Sequence, residues 1–206
     1  MISFHWRNFD DINSTLYKIG IIAGGIDFIL ILGKGLAFFQ MGDEFFTHPY
    51  LLSFIVSRQA FEILLTILVL KYFHYKNYRT VFLLGIIVTI PVLVHFVIMY
   101  NILAFGKLGN LHFSSYLILM VSVMLYSLGL IFSNSGERLW LKRIGVSSFA
   151  IGFILITTLV FQGSEIIRQI NLWTNFSGTL LLSIFWIMNF SSELKESKEL
   201  TAAKNP

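Results

Sequence analysis

Two acids and two bases stand inside apolar runs of this chain, and their spacing is its first chemical signal. Asp27 and Lys34 are seven residues apart in GGIDFILILGKG, and Arg58 and Glu62 are four apart in SRQAFE. At about 100° per residue, Gly20, Gly24, Asp27, Ile31 and Lys34 share a stripe roughly 80° wide on one helix face. Gly20 and Gly24 form a G-x-x-x-G, which admits a close neighbour, so the charged stripe is also a packing stripe. Arg58 and Glu62, at i and i+4, share a face of the next helix. Folding the two helices about their short connection brings Asp27 to the depth of Glu62 and Lys34 to that of Arg58. This arrangement allows crosswise Asp27–Arg58 and Lys34–Glu62 pairs in one neutral quartet. Each charge at the centre of a spanning helix costs about 2.5–3.5 kcal/mol, so four left unpaired would cost on the order of 10 kcal/mol. A buried ion-pair network that fixes helix register is the bland explanation. Apolar residues would avoid the cost entirely, which makes the quartet the candidate solute or ion pathway.

Other polar residues are weaker signals. Glu165 and Arg168, at i and i+3 in FQGSEIIRQ, join Asn101, Gln162, Trp173 and Asn175 as a candidate outer vestibule, against the alternative of an interfacial ion pair at a helix end. His95 follows Pro91 by one turn in PVLVHFV, where proline removes the hydrogen bond to the Ile87 carbonyl. His95 is read as a hydrogen-bonded core residue, with a proton relay as the alternative. Haem is discounted because His48, His74 and His112 lie near segment ends. Ser115, Ser122 and Gly129, with Ser148 and Gly152, carry the small-residue spacing of close helix packing. No catalytic residue, metal set or cofactor is assigned. The chain lacks cysteine altogether, which excludes disulfides and thiolate chemistry. It also lacks a Walker A loop, H-E-x-x-H and G-x-S-x-G.

These residues need a scaffold, and composition says which kind. Of 206 residues, 56% are hydrophobic and 13% charged, and the mean hydropathy is +0.76. A soluble domain carries about 25% charged residues, so the charge density here is about half the soluble norm. The expected fold is an all-α integral membrane protein, a compact bundle of six transmembrane helices. Six windows reach the length a bilayer demands: Leu16–Gln40, Pro49–Leu70, Val81–Leu103, Phe113–Phe132, Ile144–Ile167 and Thr174–Phe190. They form a single domain with a short lead at 1–15 and a mixed-charge, solvated tail at 191–206.

Loop charge suggests orientation. Lys71, Lys76, Arg79, Arg138, Lys142 and Arg143 occupy the second and fourth connections, against Lys107 and Arg168 in the odd ones, where Asp43 and Glu44 also lie. The positive-inside rule then places both termini in the cytoplasm. Tyr72, Phe73, Tyr75, Tyr78 and Trp140 are expected in an interfacial aromatic belt.

The function these features suggest is a small transporter or channel-like protein of a bacterial-type cytoplasmic membrane, acting on a small solute or ion. The alternatives are a non-catalytic accessory or assembly subunit and, third, a lipid-modifying intramembrane enzyme using Glu62, His95 or Glu165. The expected partners are the lipid bilayer and either a second copy or a membrane partner subunit. The net charge of +4 comes with no basic run of the kind that binds nucleic acid.

Overall fold

The computed structural model describes residues 9–42, 50–161 and 164–204. Within them the chain is helical almost throughout: α1 (Phe9–Met41), α2 (Tyr50–Tyr75), α3 (Arg79–Phe105), α4 (Gly109–Phe132), α5 (Leu139–Val160) and α6 (Glu165–Lys204). A 3-10 turn, Asn134–Glu137, joins α4 to α5. All six helices are long and apolar enough to cross a membrane. Helices of this composition satisfy their backbone groups internally, as a hydrocarbon environment requires. Their outward faces are apolar as well: Ile22, Ile29, Leu36, Leu83, Ile90 and Phe153 are all exposed.

Sequence-adjacent helices pack side by side, and α6 returns to pack along α1, closing a ring. The turns reverse the chain sharply. Asn77, at φ 57°, lies in the left-handed region between α2 and α3, and Gly106 and Leu108, at 64° and 65°, do so between α3 and α4. The start of α1, the end of α6 and the second and fourth connections therefore share one end, here the basal end. The first, third and fifth connections mark the far end.

The closure of the ring explains the glycines of α1. A Cβ on Gly20 would sit 2.7 Å from the Phe190 ring, and one on Gly24 2.9 Å from Ile187; Gly35 is filled in the same way by Phe176. These notches take side chains of α6, so the packing stripe of α1 turns toward the last helix more than toward the second.

Two segments differ from the sequence expectation. The fifth spanning segment was placed at Ile144–Ile167, but α5 runs from Leu139 to Val160 and Glu165 opens α6. Ser164 accounts for the break: its hydroxyl accepts the Ile167 N–H at 3.3 Å, an N-cap with an acid in the first turn. The mixed-charge tail expected from residue 191 continues α6 as helix, with Lys195 and Glu199 exposed on it. At 40 residues α6 is about 60 Å long, twice the roughly 30 Å hydrocarbon core.

The core sits at the basal end. Tyr72, Phe73 and Phe190 are wholly buried, where the sequence placed the first two in an interfacial belt. Tyr72 packs edge-on against Tyr17 and Phe190, and Phe73 against Tyr126 and Trp186. These rings fill the ring of helices because the Asn77 turn and the overshoot of α6 cap the end of α2. Trp140 carries the Arg143 guanidinium 4.7 Å above its ring.

Candidate functional site

The charged quartet is assembled in part, and by three helices. Asp27 is buried in the α1 stripe, and its Oδ2 accepts the Ser183 hydroxyl of α6 at 2.9 Å. Arg58 Nε lies 4.0 Å from Asp27 Oδ1, too far for a hydrogen bond, and both atoms are buried without a hydrogen-bond partner. Arg58 pairs firmly within its own helix, with Nη2 2.5 Å from Glu62 Oε1. The crosswise Lys34–Glu62 pair does not form. Among the described residues no carboxylate comes within 4.0 Å of Lys34. The reason is geometric: the notches of α1 turn its stripe toward α6, while Glu62 reaches Arg58 one turn away.

Lys34 faces a cavity of about 160 Å³ at the far end. Its floor is Ile31, Arg58 and Thr179, and its walls include Phe38, Phe39, Trp173 and Phe176. Gln169, Asn171 and Asn175 add amides on the α6 side. The lining spans Gln169 to Thr179 along α6, a depth of about 15 Å. Phe39 and Trp173, whose ring centroids are 4.8 Å apart and which are both about half exposed, form part of its rim. The two bases of the quartet thus meet the cavity, while Asp27 is sealed behind them. The Glu62 side chain remains one-third exposed.

The vestibule residues divide. Asn175 lines the cavity with Trp173. Glu165 and Arg168 form a two-pronged ion pair at 2.8 Å in the exposed first turn of α6, joined by Gln169. Asn101 spends its amide on the Val97 carbonyl of its own helix and does not line the cavity. Gln162 lies outside the described residues, as do Asp43, Glu44 and His48.

His95 is half-buried, and its Nδ1 lies 2.9 Å from the Ser115 hydroxyl of α4. Its ring also packs near His112 and Tyr116, at 5.5 and 5.6 Å between centroids. His112, placed near a segment end by the sequence, comes within the reach of His95 because α4 begins at Gly109, four residues before the expected window.

One cluster was missed in the sequence. Glu193 is buried at the basal end, 3% exposed. Its Oε1 accepts the Tyr72 hydroxyl at 2.8 Å, and its Oε2 lies 2.5 Å from Lys76 Nζ. Arg138 stands 3.8 Å away and grips Glu196 with two 2.7 Å bonds. Those bonds push the guanidinium pKa of Arg138 still higher. The signal was a stripe, since Ser183, Trp186, Phe190 and Glu193 continue one face of α6 past its apolar run.

The class defined by the described residues is therefore a helical, multi-pass membrane-type protein with six spanning-length helices and a cavity at one end lined in part by Lys34 and Arg58. No protein-family model, curated protein or solved structure matches the chain.

Proposed function

We propose that the chain is a transporter or channel-like protein for a small anionic solute, with the far-end cavity as its entry site. The observation that carries this reading is the cavity that leads from the far end down to Lys34 and Arg58. Basic side chains lining a cavity beside apolar walls attract an anion, because charge is weakly screened there. In the orientation favoured by the loop charges the cavity opens to the outside of a cytoplasmic membrane. Asp27 and Glu62 make the four residues neutral as a group, but neither lines the cavity, so the charged side chains met from the far end are Lys34 and Arg58. The basal aromatic core closes the opposite end. The sealed Asp27–Ser183 bond is the one observation that favours the accessory-subunit reading, in which the quartet only pairs helices.

Reconstitution decides between them. Proteoliposomes containing the purified chain should pass at least one of chloride, phosphate, acetate and benzoate faster than protein-free vesicles, as read by stopped-flow light scattering. Lys34→Gln, folded as judged by its helical signal and melting, should reduce that flux to background. Protein-free rates for all four anions with the wild-type chain would overturn the transport reading and leave the accessory role.

A further inference from the structure

The lining of the cavity narrows the solute. We infer that the far-end cavity binds a small organic monocarboxylate, its carboxylate at Lys34 and its ring-sized apolar body among Phe38, Phe39, Trp173 and Phe176. The inference rests on the reading of this cavity as a solute site and specifies the chemical class.

Charge comes first. Arg58 is engaged by Glu62 at 2.5 Å and stands 4.0 Å from Asp27, so its positive charge is already matched. Lys34 lines the cavity with no carboxylate within 4.0 Å among the described residues, which leaves its ammonium without a direct acidic contact. The four residues are neutral as a group, and only the two bases line the cavity, so the site favours a small charge, a single negative one. A doubly charged phosphate would meet Asp27 and Glu62 with its excess.

Shape comes second. A dry cavity of about 150 Å³ accommodates benzene. The cavity here, at about 160 Å³, has room for one ring or a short branched chain with its head on Lys34. Its walls supply four aromatic side chains, which suit an apolar body and are of little use to a hydrated inorganic ion. Pocket amides give a carboxylate further polar contact. Asn171 spends its donors on Thr158 and Leu155, while Gln169 and Asn175 each have one partner, Glu165 and Tyr116, and a second N–H to offer.

The test is binding to the full chain in detergent, read by equilibrium dialysis of radiolabelled benzoate. Saturable binding at one site per chain is expected. Unlabelled benzoate should compete, and chloride, phosphate and the neutral methyl benzoate should not. Decanoate, the long-chain source of the same head group, should compete poorly because its tail exceeds the cavity. Lys34→Gln should weaken benzoate binding by about tenfold or more, the value of a lost charged hydrogen bond, and Lys34→Arg should retain it.

Each contrary result has its own meaning. Competition by methyl benzoate as strong as by benzoate would remove the carboxylate from the inference. Decanoate outcompeting benzoate would overturn the size limit and assign the cavity to fatty acids. Binding of chloride or phosphate without benzoate would overturn the ligand class and spare the anion reading. Benzoate binding without flux in vesicles would uphold the ligand and overturn transport. These competition arms use the wild-type chain, so a misfolded Lys34 variant would not blunt them.

Discussion

The two ends of the molecule treat buried charge in opposite ways. At the basal end both oxygens of Glu193 are occupied, one by the Tyr72 hydroxyl and one by Lys76, with Arg138 close by. At the far end Asp27 Oδ1 and Arg58 Nε stand 4.0 Å apart and neither is hydrogen-bonded. An unmade hydrogen bond at a buried group costs about 1–3 kcal/mol, which packing elsewhere must offset. A cluster satisfied on every oxygen ties helices together. A cluster left partly unsatisfied beside a cavity, with an ammonium that touches no described carboxylate, has binding capacity to offer. The basal cluster is therefore read as a staple across α2, α6 and the start of α5, and the far one as a site.

The largest effect expected from this comparison is at the staple. Glu193→Ala strands Lys76 and the Tyr72 hydroxyl. Breaking a buried pair costs about 3–5 kcal/mol, and the partial exposure of Lys76 and Arg138 points to the lower part of that range. Glu196→Gln removes an exposed partner of Arg138 and should cost no more than about 1 kcal/mol. Melting of both variants in the same detergent gives the comparison. If Glu193→Ala were no less stable than Glu196→Gln, the basal cluster would lose its standing as a staple. Neither variant touches the cavity, so benzoate binding should survive in whatever fraction remains folded.

The contrast also shows what the sequence could and could not carry. The six spanning segments were legible because hydropathy over about 20 residues is a large, additive signal. The stripe of Gly20, Gly24, Asp27 and Ile31 was legible because periodicity fixes a face. Its neighbour was not, since nothing local says that α6 closes onto α1. Once that closure is known, Gly35, Asp27, Gly24 and Gly20 fall in antiparallel register with Phe176, Ser183, Ile187 and Phe190. Glu193 was hidden for a different reason. A mixed-charge stretch such as SSELKESKEL averages to a solvated end, and only its phase with Phe190 reveals one buried carboxylate. That Tyr72 and Phe73 face inward is not legible either, because an aromatic beside a basic loop has the same local sequence whether a later helix covers it or not.

A smaller effect is expected at the quartet. The pairing geometry seen here lowers what an ideal buried pair would give. Asp27→Asn keeps an oxygen for Ser183 and leaves Arg58 its Glu62 partner, so a loss of about 1–2 kcal/mol is expected. Combining it with Arg58→Gln tests the 4.0 Å contact. A coupling of about 0.5–1 kcal/mol is expected, below what a hydrogen-bonded pair gives. Coupling of 3 kcal/mol or more would mean that Asp27 and Arg58 are a tight pair like the basal one, and the contrast between the ends would collapse. Recovered stability without recovered flux would mark the quartet as working machinery.

The smallest effect is expected at His95, the third polar group inside the spanning helices. Its Nδ1 is engaged by Ser115, which itself donates to the His112 carbonyl, so this ring nitrogen is tied to α4 as the Glu193 oxygens are tied to their partners. Glutamine can reach the same hydroxyl, and His95→Gln should change stability by no more than about 1 kcal/mol. Binding of benzoate should stay within a factor of two of wild type, about 0.4 kcal/mol, because His95 does not line the cavity. The one route by which it could matter runs through Tyr116, whose ring neighbours His95 and whose hydroxyl faces Asn175 of the cavity wall. His95→Gln and Tyr116→Phe are therefore measured together. If both abolish flux while melting normally, a chain of groups from α3 through α4 feeds the cavity, and His95 is a relay after all. If Tyr116→Phe alone weakens binding, Asn175 is being positioned by the phenol and His95 is only its neighbour. Wild-type binding and flux in both variants would confine the site to α1, α2 and α6.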